Sequence, residues 1–217
     1  MLKLVIATTL LTFGFLACNQ QETIQETILQ TDSVSVQHLL HDITARHENG
    51  DLNVVIEIPA GTLEKWEVNK TTGQLELEHR NGQPRIIQYI GYPGNYGFIP
   101  QTLLPKEAGG DGDPLDVLVL GAPVKRGTIL KSKLIGVLHL LDGGEQDDKL
   151  IAVSEDSPLY NVNSIAELDS NYEGITESIA IWFSNYKGPG KMESLGFGSK
   201  DTAIQLFEYA VTAYQPQ

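Results

Sequence analysis

Cysteine is almost missing from this chain of 217 residues: Cys18 is the only one. A single thiol cannot form an intramolecular disulfide, which excludes a stapled scaffold, and it cannot build a thiolate metal cluster. Cations are scarce too, with 15 Lys and Arg against 28 Asp and Glu, a formal charge of −13 and a sequence pI of about 4.7. A field of that sign repels nucleic acid and anionic lipid and tolerates cations. It admits an anionic substrate only where bound metals invert the local sign. The apolar run Leu4–Ala17 falls short of the ~20 residues that a membrane-spanning helix needs. Internal repeats are lacking. What remains, 41% hydrophobic and 20% charged residues, is the composition of an ordinary globular domain large enough to bury its own core.

The first residues form a separate object. Lys3 precedes the run Leu4–Ala17, and Cys18 follows directly. A short positive start, an apolar stretch and a small residue at the processing point have the layout of a secretory signal. The position of Cys18 resembles the lipobox of bacterial lipoproteins, with Phe15 and Leu16 bulkier than usual before Ala17. The expectation is a signal over 1–18 with a lipid anchor at Cys18 and a cell-envelope location on the periplasmic side; an uncleaved anchor is the alternative. Residues 19–50 read as a tether and N-terminal extension, rich in Gln, Thr and Glu at first. His38, His41 and His47 lie in a weakly helical segment and are not read as metal ligands.

A folded domain is expected over 51–217. Asn53–Pro59, Lys65–Asn69, Gln74–His79, Arg85–Ile90, Leu115–Leu120, Lys133–Leu141 and Leu150–Val153 read as short strands, with Thr-Thr-Gly and Asn-Gly as turn signals. Close spacing of short strands suggests a small barrel or sandwich. Ser164–Leu168, Tyr172–Lys187 and a segment capped by Ser199 read as helices. Strands first and helices last give an α+β class.

The densest chemical signal is Asp111-Gly112-Asp113-Pro114-Leu115-Asp116, which opens onto the apolar run Val117–Leu120. Hard cations require oxygen ligands, and a turn shaped by Gly and Pro can aim several carboxylates at one point. An EF-hand loop fails here, because Asp116 stands where its glycine belongs and Ala122 where its glutamate belongs. A solvated acidic turn is the plainer alternative. A second acidic group, Asp142, Glu145, Asp147 and Asp148, follows another apolar strand and ends at Lys149. Two such loops after core strands look like two halves of a multi-metal site. Lys65 and Glu67 flank Trp66 and share one face of a strand. Glu57 lies inside VVIEIP, where an unpaired charge would cost several kcal/mol, so a cation should stand near it. Tyr92 and Tyr96 bracket Pro93-Gly94-Asn95, and Tyr186-Lys187 end a helix.

Taken together and in order, these pieces over roughly residues 51–190 resemble the family I soluble inorganic pyrophosphatases. The resemblance implies a five-stranded OB-like barrel with flanking helices, the C-terminal ones packed on the barrel. It implies Mg²⁺, with Mn²⁺ or Zn²⁺ as substitutes, and pyrophosphate or phosphate as ligand. Asp111, Asp116 and Asp147 would hold an activating metal, and Asp142 with Asp147 a further one; Glu57 would serve another, with Glu67 beyond it. Asp113 would be the general base. Lys65, Arg85, Tyr96, Lys149, Tyr186 and Lys187 would bind phosphate oxygens, and Tyr92 would order the carboxylates by hydrogen bonding. Arg80 and Arg85 compete for the arginine role, and Arg85 is favoured because it opens the segment leading to Tyr92. A homo-oligomer is implied as well. The rivals are a non-catalytic metal binder, a phosphoesterase for another small phosphate, and a nucleic-acid-binding OB module, which the charge disfavours.

Overall fold

The structure, a computed structural model, describes residues 36–215 apart from residue 109. The signal, Cys18 and most of the tether therefore lie outside the described residues. In chain order the elements are β1 (Leu52–Ile58), β2 (Trp66–Val68), β3 (Leu75–Leu77), β4 (His79–Arg80), β5 (Gln83–Pro84), β6 (Asn95–Phe98), β7 (Asp116–Leu120), β8 (Ile129–Asp142), β9 (Glu145–Gln146), β10 (Lys149–Ser154), α1 (Ile165–Asn171), α2 (Ile175–Asn185), β11 (Met192–Gly198) and α3 (Lys200–Ala213).

Five strands close on themselves. β1 pairs β6, β6 pairs β7, β7 pairs β10, β10 pairs β8, and β8 returns to β1. Closure leaves no free edge among the five, the usual solution for a small sheet. Only β7 and β10 run parallel, with Leu150 opposite Val117. Their apolar runs are unbroken because both faces are covered. Leu118, Leu120, Ile151 and Val153 pack with Ile179, Trp182 and Phe183 of α2. Val117, Val119, Leu150 and Ala152 pack with Ala203, Phe207 and Ala210 of α3. The OB-like barrel with packed helices is thus as expected.

Several expectations need correction. Arg85–Ile90 is not a strand; the chain there makes the end of the β4–β5 hairpin, one bridge from Ile86 to Glu64, and bends. Its apolar residues had suggested a strand, but Ile86 and Ile90 are exposed. β6 and β11 went unread, being short or rich in glycine, and β11 between α2 and α3 breaks the order of strands first and helices last. The stretch 36–50 of the N-terminal extension belongs to the compact unit that begins at Val36. It forms turns rather than a helix. Leu40 and Ile43 bury against Val55 and Phe98, and Gln101 donates its backbone N–H to Leu40 O at 3.0 Å.

Candidate active site

Two backbone features deliver the site. The first is the parallel pairing: with Leu150 opposite Val117, the strand-opening residues Lys149 and Asp116 fall side by side at one end of the barrel. Lys149 Nζ lies 2.6 Å from Asp116 Oδ2 and also pairs with Asp147. The second is a bulge in β1. Ile56 is opposite Gly97 and Ile58 is opposite Tyr96, which leaves Glu57 as the extra residue. A Cβ at Gly97 would sit 1.9 Å from Val55 O, so only glycine lets β6 approach here. The bulged Glu57 is buried, lines the cavity with Lys65, and accepts a hydrogen bond from Val68 N at 2.7 Å.

The aspartate turn is held from both sides. Gly112, at φ +83, donates its N–H to Leu104 O at 2.8 Å, and Asp113 O accepts from Leu104 N at 2.9 Å. Asp111 Oδ1 accepts from Asp113 N at 2.9 Å. Asp111, Asp113 and Asp116 therefore face a cavity of about 350 Å³ together with Asp147, Lys149, Lys65, Glu57 and Glu67. Lys65 Nζ contacts Glu67 at 2.9 Å and stands 5.5 Å from the centre of the Tyr96 ring.

The charges are mutually compensated. Burial would raise Asp116, but Lys149 and Lys65, with hydrogen bonds from Lys149 and Tyr96, hold it below the usual carboxylate range. Burial would likewise lower Lys149, yet Asp116 and Asp147 push it up. Glu57 is the exception: burial pushes it up to about 8, and Lys65 only partly opposes this. Burial also raises Asp111, helped by the like charges of Asp113 and Asp116. Among the described residues no three His, Cys, Asp or Glu side chains stand close enough to clasp a metal unaided. The donor set nevertheless suits a hard cation: Asp116 and Asp147 are already arranged about one positive group, the Lys149 ammonium, with Asp111 and Asp113 on the same wall.

A family model for inorganic pyrophosphatase matches residues 54–215. The chain belongs to the inorganic pyrophosphatase family of hydrolases. It is 34% identical to the inorganic pyrophosphatase of Helicobacter pylori over 181 residues, covering 81% of this chain and 98% of that one. With the soluble inorganic pyrophosphatase of Zea mays it shares 38% over 163 residues, 74% of this chain but only 66% of the maize protein. The solved structure of the Helicobacter pylori enzyme superposes with a TM-score of 0.68 at 34% identity, over 80% of this chain and 98% of that one. The truncated vacuolar soluble pyrophosphatase of Trypanosoma cruzi, solved with PPi, gives 0.72 at 25% identity, over 82% and 74%.

Most residues expected from the family pattern converge on one cavity: Glu57, Lys65, Glu67, Arg85, Tyr96, Asp111, Asp113, Asp116, Asp147, Lys149, Tyr186 and Lys187. Two do not. Asp142 ends β8 facing a neighbouring cleft, where it pairs with Lys187. Tyr92 is buried among rings, 5.2 Å from Tyr96 and 4.5 Å from Trp182 between centroids. Among the described residues it makes no hydrogen bond to the carboxylates; it supports Tyr96 and Tyr186 by packing instead. Both arginines line the cavity, but Arg85 is 14% exposed and Arg80 65%, and Glu78 pairs with both. Burial alone would raise Glu78, but the hydrogen bonds from Arg85 and Arg80 hold it below its ordinary value. Lys70 was missed: it lines the cavity and pairs with Asp113. Its position three residues beyond Glu67, before a turn, offered no periodicity to mark it.

Proposed function

We propose that the chain hydrolyses inorganic pyrophosphate to two phosphates with Mg²⁺, Asp113 serving as general base. The observation that carries the reading is the Asp116–Lys149–Asp147 cluster, which shares with Asp111 and Asp113 a cavity also lined by Lys65, Arg85, Tyr96, Tyr186 and Lys187. Carboxylates there supply oxygen donors for cations, and lysines, an arginine and phenols supply positive charge and hydrogen-bond donors. That is the division needed by a compact polyanion that must lose charge before water attacks it.

Asp111, Asp116 and Asp147 are the residues that would hold divalent ions, with Glu57 buried deeper in the same cavity and Asp142 in the neighbouring cleft. Ions held there would supply charge neutralisation and a more acidic water. The chain's own groups do the rest. Lys65, Lys149 and Arg85 bind phosphoryl oxygens and stabilise charge as it moves to the leaving phosphate. Lys149 and Lys65, with a smaller contribution from the Tyr96 hydroxyl, hold Asp116 in its anionic form. Tyr186, stacked on Trp182 at 4.6 Å, presents its hydroxyl from a fixed ring. Asp113, at the cavity mouth, accepts the proton of the attacking water.

Purified protein is expected to release phosphate from pyrophosphate with Mg²⁺ and to stop on addition of EDTA. Asp113→Asn should lower turnover by about 10²- to 10⁴-fold with an unchanged melting curve. No phosphate release at any concentration of Mg²⁺, Mn²⁺ or Zn²⁺ would sink the proposal. Lipid anchoring at Cys18 and a cell-envelope location belong to the same reading, supported by the signal-like sequence 1–18. Mass spectrometry of the membrane fraction tests them by the presence or absence of a lipid on Cys18. Assembly as a homo-oligomer is read by light scattering.

A further inference from the structure

Next to the main cavity lies a second cleft of about 430 Å³, whose charged lining is Arg80, Arg85, Lys187, Lys191 and Asp142. Four cations against two carboxylates, Asp142 and the Glu78 that pairs with both arginines, leave a positive island on a chain of net charge −13. The two spaces adjoin, with Arg80, Arg85, Tyr186 and Lys187 lining both.

The cleft has two short, braced arms. Arg80 is carried by the β4–β5 hairpin, whose turn residues Asn81 and Gly82 both have positive φ, 53° and 75°. That is the tight turn Asn-Gly favours in two-residue hairpins. Glu78 ties Arg80 to Arg85. On the other side Lys191 follows Gly188-Pro189-Gly190, and its carbonyl accepts from Gly143 N at 3.0 Å, which pins the arm to the end of β8. Among the described residues the Lys191 side chain makes no ion pair, while Arg80 is held only by a carboxylate it shares with Arg85.

We propose that this side cleft is a subsite for a third phosphate, so that the protein binds linear triphosphates across both spaces. The inference rests on the pyrophosphate reading above. A phosphate gripped by Arg85 and Lys187 stands at the junction of the two cavities, and a further phosphate linked to it extends into the side cleft. There it meets Arg80 and Lys191, neither of which is needed to hold two phosphates. Arg80 can exchange one Glu78 contact for a bidentate grip on phosphate oxygens, and Lys191 adds a point charge. Free triphosphate and the triphosphate of a nucleotide share this chemistry.

The test is binding of non-hydrolysable, methylene-bridged analogues of pyrophosphate, of inorganic triphosphate and of ATP, measured by calorimetry on the full chain at fixed free Mg²⁺. Arg80→Ala and Lys191→Ala should each weaken the triphosphate analogue by about 10-fold, the loss of one hydrogen bond to a charged group. The pyrophosphate analogue should change by less than about 2-fold, and Arg80→Lys should recover part of the loss. Weakening confined to the inorganic analogue identifies free triphosphate as the ligand; weakening of both identifies the triphosphate group in either form. Equal weakening of pyrophosphate and triphosphate overturns the subsite, because the residues then contribute only a general field. No weakening of either overturns it as well. A protein that fails to hydrolyse pyrophosphate still gives these binding constants, so failure of the activity and failure of the subsite are read separately.

Discussion

The two walls of the cavity are built differently. Asp116, Lys149 and Tyr96 sit on strands of the closed barrel, whereas Arg80, Arg85 and Lys70 sit on or beside the small hairpins β2–β3 and β4–β5. Lys149 and Tyr96 are buried, and Lys149 pairs with Asp116 on the neighbouring strand, so each has little freedom and each charge depends on its neighbour. Of the hairpin-borne groups Arg80 and Lys70 lie further out while Arg85 is mostly buried, and all three pair through one shared or exposed carboxylate. The contrast teaches where cost and adaptability lie: the barrel wall must be exact to be tolerated at all, while the hairpin wall can trade partners for a ligand.

The largest effect should come from the barrel wall. Lys149→Met leaves Asp116 and Asp147 facing one another without their cation, and removing one partner of a buried pair costs about 3–5 kcal/mol; urea unfolding of metal-free protein reads it. If stability falls by less than ~1 kcal/mol, the carboxylates are better solvated than the geometry shows. On the hairpin wall, Arg85→Ala should lower pyrophosphate turnover by about 10²-fold, and Arg80→Ala by no more than about 2-fold. Steady-state rates that reverse this order would make Arg80 the phosphate ligand.

Glu57 gives a pH-dependent comparison. Its folded value, about 8, lies above the ordinary 4.5, because burial disfavours the charged form. A raised acid binds its proton more tightly when folded, so its contribution is fully present below about pH 4.5 and is lost as pH climbs towards 8. Glu57→Gln cannot lose a proton, so in metal-free buffer its stability relative to the parent should rise steadily from pH 5 to pH 8. A constant difference across that window would show that Glu57 is already charged in the fold. The smallest effect is expected at Lys70, whose pair with Asp113 is half exposed. Lys70→Ala should move the melting temperature very little, since exposed pairs contribute about 0–1 kcal/mol.

Much of this was legible along the chain. The Asp111–Asp116 turn, Asp147 with Lys149, Lys65 with Glu67, and Tyr186-Lys187 are local patterns in which chemistry is packed into a few residues, and each fell where expected. Glu57 was legible as an anomaly, a carboxylate in an apolar strand that needed a cation, and Lys65 is that cation. The misread parts depend on what passes nearby. The segment from Arg85 to Ile90 has the composition of a strand but finds no continuous partner. Tyr92 read as a hydrogen-bonding phenol, and its ring packs among Tyr96, Trp182 and Tyr186.

By itself the sequence determined the local chemistry: which short segments carry carboxylates, cations and phenols, where turns must fall, and that an apolar run ends at each. These follow from periodicity and turn geometry, which act over a few residues. Tertiary structure alone decided that Asp116 and Lys149, 33 residues apart, touch, that the β1 bulge opposite Gly97 and Tyr96 turns Glu57 inward, and that Asp142 faces the side cleft rather than the main cavity. The reason is closure of the barrel: register between strands distant in the chain is set by which faces must be buried together, and no local pattern records it.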